Sequence, residues 1–257
     1  MSKRVSGLEP MLQVKGLYGG YFPRKPVLKD VDFEVFPGEM VGMIGLNGAG
    51  KSTTIKHILG LLQPQKGEIR IRGRTLAEAP LEYRSSFAYV PESPELYEEL
   101  TISEHLELTA RAYGLERALY GERSAKLLDT FHMTGKKDSF SAHLSKGMKQ
   151  KVMIMNAFLT EPPLYIIDEP FLGLDPLSIR SLLELMVQMQ ETGASFLISS
   201  HILSTIERYC NKFVVLHQGC IIAKGTLPEI LAAAGLPRGS SLDDAFCALT
   251  AAGGAVG

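Results

Sequence analysis

Val31, Phe33 and Val35 alternate with Asp32 and Glu34, the period of a strand with one face buried. Pro37-Gly38 turns that strand into the apolar run Met40-Val41-Gly42-Met43-Ile44, which predicts a buried strand. After a glycine-rich loop, Ile55, Ile58, Leu59 and Leu62 recur at i, i+3, i+4 and i+7. That stripe predicts a helix packed on a sheet. Ile69-Arg70-Ile71-Arg72 alternates between Gly67 and Gly73, and its arginines read as the solvated face of a strand. Phe87-Ala88-Tyr89-Val90 predicts a strand ending at Pro91.

The pattern then changes. From Thr101 to His143 the chain is polar, helical in period and without a strong strand. Ser103-Glu104 with Leu106, Leu108, Ala110 and Ala112 predicts one helix, and Arg123 to Phe131 a second. Met148, Val152, Met155 and Leu159 mark a further helix behind Ser145. Strands return at Leu164–Ile167 and Ser195–Ile198, with a helix over Leu177–Gln190 between them. Phe213–Leu216, a turn at Gln218-Gly219 and Ile221–Ala223 predict a hairpin. The Ala/Gly-rich tail after Ala251 is expected to fray. The fold class is therefore α/β: a mostly parallel sheet, an antiparallel β subdomain and an α-helical subdomain inserted at about 98–160.

Composition narrows the function. The chain has 257 residues, with 27 basic and 28 acidic side chains and a net charge of −1. That balance gives no electrostatic case for nucleic acid. Cys210, Cys220 and Cys247 lack metal-binding spacing, fit a reducing compartment and read as structural. Met-Ser-Lys-Arg-Val-Ser-Gly leads into no apolar segment, so no signal peptide is expected. No apolar run approaches the roughly 20 residues of a membrane span. A role at a membrane would need another chain to cross it.

The candidate chemistry starts at Gly45-Leu46-Asn47-Gly48-Ala49-Gly50-Lys51-Ser52-Thr53, which has the spacing of a phosphate-binding P-loop. Its glycines let backbone N–H groups approach a polyphosphate. Lys51 would reach the β- and γ-phosphates, and Ser52 would place a hydroxyl on Mg²⁺. The following helix points its positive end at the same anion. Leu164-Tyr165-Ile166-Ile167-Asp168-Glu169 is a buried strand ending in two acids. Asp168 stands where it can hold Mg²⁺, and Glu169 could polarise an attacking water. His201 follows a strand expected to lie parallel to the P-loop strand, at the ligand-binding end of the sheet. Ser145 is a good helix N-cap, and its turn offers a second anion site.

In this order the motifs resemble the ATP-binding cassette (ABC) ATPase family, from about Leu12 to about Thr250. Tyr21 matches the aromatic that stacks on adenine. Gly45 to Thr53 matches Walker A, and Ile166 to Glu169 the end of Walker B. Leu144-Ser145-Lys146-Gly147-Met148 matches the signature, Leu172 to Asp175 the D-loop, and His201 the switch histidine. Pro91-Glu92, Ser145 to Lys151 and Asp168 to Pro176 resemble the ATPase subunits of bacterial exporters, most of all those of the Ecs type. Leu242-Asp243-Asp244-Ala245-Phe246 resembles their closing segment. Two departures stand out. Glu92 replaces the usual Gln, and the signature carries Lys146 and Met148 where Gly and Gln are common.

The resemblance implies an ATP-binding domain over 1–235 and a short tail over 236–257. It implies ATP and Mg²⁺ as cofactors, with Gly45, Asn47, Gly48, Ala49, Gly50, Lys51, Ser52 and Thr53 around the phosphates. Ser52, Glu92 and Asp168 would hold the metal. Two subunits would stack head to tail, as a homodimer or with a paralogue, so that Ser145 and Gly147 of one close over ATP held by the other. Glu169, His201 and Lys51 would act on the γ-phosphate, and Asp175 would couple the sites. The partner would be an integral membrane permease, docked between the Glu92 loop and the Thr101–His143 helices, and the subunit would lie at the cytoplasmic face of the membrane. A soluble ABC ATPase, such as an iron–sulfur assembly ATPase, and a P-loop kinase are the alternatives. A kinase would need an acceptor site and no signature helix.

Overall fold

A computed structural model of the chain describes residues 8–253. The first elements are β1 (Leu12–Gly19), β2 (Leu28–Val35), β3 (Met40–Ile44) and α1 (Lys51–Ile58). β4 (Lys66–Ile71), α2 (Pro80–Ser85) and β5 (Phe87–Val90) follow. The inserted helices are α3 (Ile102–Ala112), α4 (Arg117–Thr130) and α5 (Lys146–Leu159). The core resumes with β6 (Leu164–Asp168), α6 (Pro176–Glu191), β7 (Ser195–Ser199), α7 (Leu203–Tyr209), β8 (Lys212–His217) and β9 (Cys220–Gly225). α8 (Leu227–Ala233) and α9 (Leu242–Gly253) come last.

The larger sheet runs β5-β6-β7-β3-β8-β9, parallel throughout except for the antiparallel β9. The smaller sheet, β2-β1-β4, is antiparallel. Every residue of β3, β6 and β7 is buried, as expected of parallel strands covered on both faces. Successive side chains go to opposite faces. Val41 and Met43 of β3, with Leu164 and Ile166 of β6, join the core shared with the small sheet and α1. Met40 and Ile44, with Tyr165 and Ile167, join the core under the inserted helices and α6. This layering matches the expected fold class.

Some elements differ from the sequence reading. β1 escapes a period-two search because its pairing shifts between Val14 and Leu17. Gly16, at φ +55°, sits in that irregularity, and the buried set jumps from Leu12 and Val14 to Leu17. α2, α7 and α8 have six or seven residues each, too few to show a helical stripe. α3 starts at Ile102, one residue before the Ser103-Glu104 start suggested in the sequence. Thr101 is its cap, accepting the Glu104 N–H, while the Glu104 carboxylate accepts the Thr101 N–H at 2.7 Å.

The segment 236–257, expected to be a tail, contains α9. Leu242 and Ala245 of that helix are fully buried against the core. α9 continues to Gly253, two residues past Ala251, where the tail was expected to begin fraying. Alanine-rich composition favours helix once a buried face anchors it. Residues 254–257 lie outside the described residues.

Candidate nucleotide site

The loop from Gly45 to Gly50 joins β3 to α1, at the carboxyl end of the parallel strands. Its shape depends on two glycines. Gly50 caps α1 at φ +112°, a left-handed value that other residues rarely adopt. At Gly45, a Cβ would lie 2.4 Å from the Leu216 carbonyl oxygen. Lys51 is buried and folds back over the loop, donating from Nζ to the Gly45 carbonyl at 2.7 Å. No side chain caps α1 and no acid stands in its first turn. The positive end of the helix is therefore left for an anion.

β6 brings the acids to the same place. Asp168 is buried at the strand end and accepts a hydrogen bond from the Ser199 hydroxyl. Glu169 takes φ +49°, and its N–H donates to the Ser199 carbonyl at 3.0 Å. A non-glycine residue in this region is strained, and the neighbouring strand holds it there. The Glu169 carboxylate is aimed into the site. Oε1 lies 3.8 Å from Lys51 Nζ. Oε2 accepts the His201 backbone N–H at 3.2 Å and lies 2.7 Å from His201 Nδ1.

These groups surround a cleft of about 970 Å³, lined among others by Tyr21, Lys51, Ser52, Glu92, Glu169 and His201. Tyr21 stands at its edge, half-exposed, with Lys56 Nζ donating to its hydroxyl at 3.1 Å. That bond lowers the phenol's pKa below its ordinary value. Glu92 is exposed in the cleft, and its loop is tied down by Gln150, which donates to the Pro91 carbonyl at 3.1 Å. Ser52, Glu92 and Asp168 offer only oxygen atoms, the donor set that suits Mg²⁺.

The signature stands apart. Ser145 caps α5 by accepting the Met148 N–H at 3.3 Å and is otherwise exposed, as is Lys146. Gly147 packs on the D-loop turn, where a Cβ would lie 2.4 Å from the Gly173 carbonyl oxygen. Asp175 caps α6, accepting the Ser178 N–H at 2.9 Å and the Ser178 hydroxyl at 2.7 Å. Its carboxylate also meets Lys151 Nζ of α5 at 3.0 Å. The Ser178 bonds and Lys151 hold its pKa well below the usual carboxylate range. Ser145, Gly147 and Asp175 do not line the cleft of their own chain.

One part of the cleft wall was missed. Asp243, Phe246 and Cys247 of α9 line it together with Leu203. Cys247, read in the sequence as structural, is exposed there. The only signal was the Leu242–Phe246 segment, which marked a chain end rather than a cleft.

A family model described as ABC transporter matches residues 28–172. The chain is 58% identical over 240 residues to the ABC-type transporter ATP-binding protein EcsA of Bacillus subtilis (strain 168), covering 93% of this chain and 96% of that protein. This chain belongs to the ABC transporter family. It is an ATP-binding subunit of that family, and its activity is ATP hydrolysis. The ABC subunit is also 44% identical to the uncharacterised ABC transporter ATP-binding protein YthP of Bacillus subtilis (strain 168), over 88% of this chain and 91% of that protein. A solved structure of an ATP-binding subunit of an ABC transporter matches it with a TM-score of 0.90 and 59% identity, covering 93% of this chain and 99% of that one. Among the described residues of the ABC subunit, no helix is long and apolar enough to cross a membrane.

Proposed function

We propose that this subunit powers an exporter through an integral membrane permease, at the cytoplasmic face of the membrane, by closing on a second ATPase subunit around two ATP molecules. One observation carries the pairing. Ser145 and Gly147 offer an anion site on α5, yet they stand outside the cleft that holds Lys51, Glu169 and His201. A second subunit, identical or a paralogue, would bring its own Ser145 and Gly147 over the γ-phosphate. The resemblance to bacterial exporter ATPases supports the direction of transport. The relatives are transporter subunits, which does not favour a soluble iron–sulfur assembly role.

Within one cleft, Tyr21 stacks on the base, while Asn47, Gly48, Ala49, Gly50 and Thr53 follow the phosphates with backbone N–H groups. Lys51 exchanges the Gly45 carbonyl for phosphate oxygens. Ser52, Glu92 and Asp168 would hold Mg²⁺, which when bound would supply positive charge against the phosphates. Glu169 orients the attacking water and accepts its proton. His201 keeps that carboxylate in place through Nδ1 and can reach the γ-phosphate. Asp175, latched to α5 through Lys151, relays the state of one site to the other.

The permease docks in a hollow of about 250 Å³ beside the Glu92 loop, where Tyr89, Glu95 and Leu96 face His105, Leu108 and Tyr113 of α3 and its end. Three measurements test the reading. Glu169→Gln with ATP is expected to sediment as a dimer, and a persistent monomer would count against pairing. Affinity purification from membranes is expected to bring down a multi-span protein. Transport assayed in inside-out vesicles then gives the direction.

A further inference from the structure

The last helix is part of the cleft wall, and none of the nucleotide motifs accounts for it. Asp243, Phe246 and Cys247 stand at i, i+3 and i+4, one face of α9, and line the cleft with Lys51, Glu169 and His201. Leu242 and Ala245 anchor the helix in the core. Besides the apolar core they share, one carboxylate ties α9 to α7. Glu207 Oε2 accepts the Leu242 N–H at 2.7 Å. This is a charge-assisted bond at the positive end of α9.

Glu207 lies on α7, which begins two residues after His201. The preceding residue, Ile206, is buried over β3, where a Cβ on Gly42 would lie 2.4 Å from Ile206 Cγ2. Consecutive residues of α7 thus grip the P-loop strand on one side and α9 on the other. The His201 side chain is 55% exposed, and the hydrogen bond it makes is to Glu169. On the strand side its segment is held by the His201 N–H to Glu169 at 3.2 Å and by the Ser200 N–H to the Met43 carbonyl at 3.4 Å. On the other side, the Ile206 N–H donates to the Ile202 carbonyl at 3.3 Å and ties it to α7. α7 is therefore the anchor of His201 on the side away from the strands.

We propose that Glu207 is a positioning residue for His201: by fastening α9 to α7, it holds the switch segment against the nucleotide cleft. The inference rests on the role given to His201 above. Glu207 itself does not line the cleft.

The test is steady-state ATPase kinetics of the full chain, with melting followed by circular dichroism. Glu207→Ala is expected to lower kcat about tenfold, the scale of losing a supporting hydrogen bond. KM for ATP should move less than about twofold, because the groups that bind ground-state ATP are untouched. Glu207→Gln keeps a carbonyl acceptor for the Leu242 N–H and should restore most of kcat. In the His201→Ala background, Glu207→Ala should cause no further loss. Should Glu207→Ala not fold, Glu207→Asp, shorter by one methylene, should show the same selective loss of kcat. Wild-type kcat in the folded Glu207 variants beside a slow His201→Ala overturns the proposal alone, as do additive losses in the double variant. Normal turnover in His201→Ala overturns the role of His201, and the positioning proposal with it.

Discussion

Glu169 Oε2 lies 2.7 Å from His201 Nδ1, while Oε1 of the same carboxylate lies 3.8 Å from Lys51 Nζ. One strained, buried glutamate therefore links the phosphate loop on β3 to the segment after β7. Glu169→Gln keeps the shape and one of the two acceptor oxygens but removes the proposed base. Turnover is expected to fall by about 10²–10⁴-fold, the usual share of a general base. ATP binding, followed by isothermal titration, should persist. Near-normal turnover would remove Glu169 from its role.

Tyr21 offers one flat face and no base-specific contact. Tyr21→Ala should weaken ATP binding by about 1–3 kcal/mol, the worth of one stacked base. GTP should lose a similar amount. Lys56→Met should return the phenol toward its ordinary pKa, since the Lys56 bond is the main cause of its lowering. An ultraviolet pH titration against Tyr21→Phe isolates that signal, and an unchanged titration would contradict the bond.

Glu92 brings a negative charge where the family usually has a neutral amide. Glu92→Gln is expected to raise the Mg²⁺ concentration needed for half-maximal ATPase activity. An identical Mg²⁺ dependence would take Glu92 out of the metal's surroundings.

Two glycine-to-alanine changes should have opposite signs. Gly121, exposed in α4, has nothing within 4 Å of an added Cβ. Alanine there should stabilise by up to about 1 kcal/mol, its helix-propensity gain. Gly147 would gain the same propensity, but its Cβ would lie 2.4 Å from a backbone carbonyl that cannot swing away. Overpacking costs about 1–3 kcal/mol, so Gly147→Ala should be destabilised on balance. Urea midpoints of the two variants give both signs.

Asp175 predicts a pH dependence. Its folded pKa is depressed, first by the Ser178 hydroxyl and N–H and then by Lys151. A depressed carboxylate adds stability above its unfolded pKa of about 3.9. That stability is lost as pH falls from there through the lower folded value. Asp175→Asn keeps a cap acceptor and loses the charge. Its stability deficit against the unaltered chain should be constant near neutrality and shrink below about pH 4. Urea midpoints between neutral and acid pH measure it.

The phosphate loop, the acidic strand end and the parallel core were legible in the sequence because each is local. Gly45 to Thr53 carries its spacing in nine residues, and the runs at Met40–Ile44 and Leu164–Ile167 signal burial on both faces by themselves. The cap of α3 was equally legible at Thr101 and Glu104, two residues before the reading placed the start. β1 was not, because the irregularity around Gly16 breaks the alternation on which strand reading depends.

By itself the sequence determined the phosphate chemistry and the order of motifs, since those depend on residue type at short range. Only the tertiary structure decided which motifs share a cleft. It brought Tyr21, Glu92 and His201 to Lys51 and left Ser145 and Gly147 outside. It also turned an apparent tail into a wall of the site. Asp243 and Cys247 reach the cleft through the burial of Leu242 and Ala245 and through the bond from Glu207, 35 residues earlier. Contacts of that range follow from how the layers pack, and no local pattern of hydrophobic or polar residues encodes them.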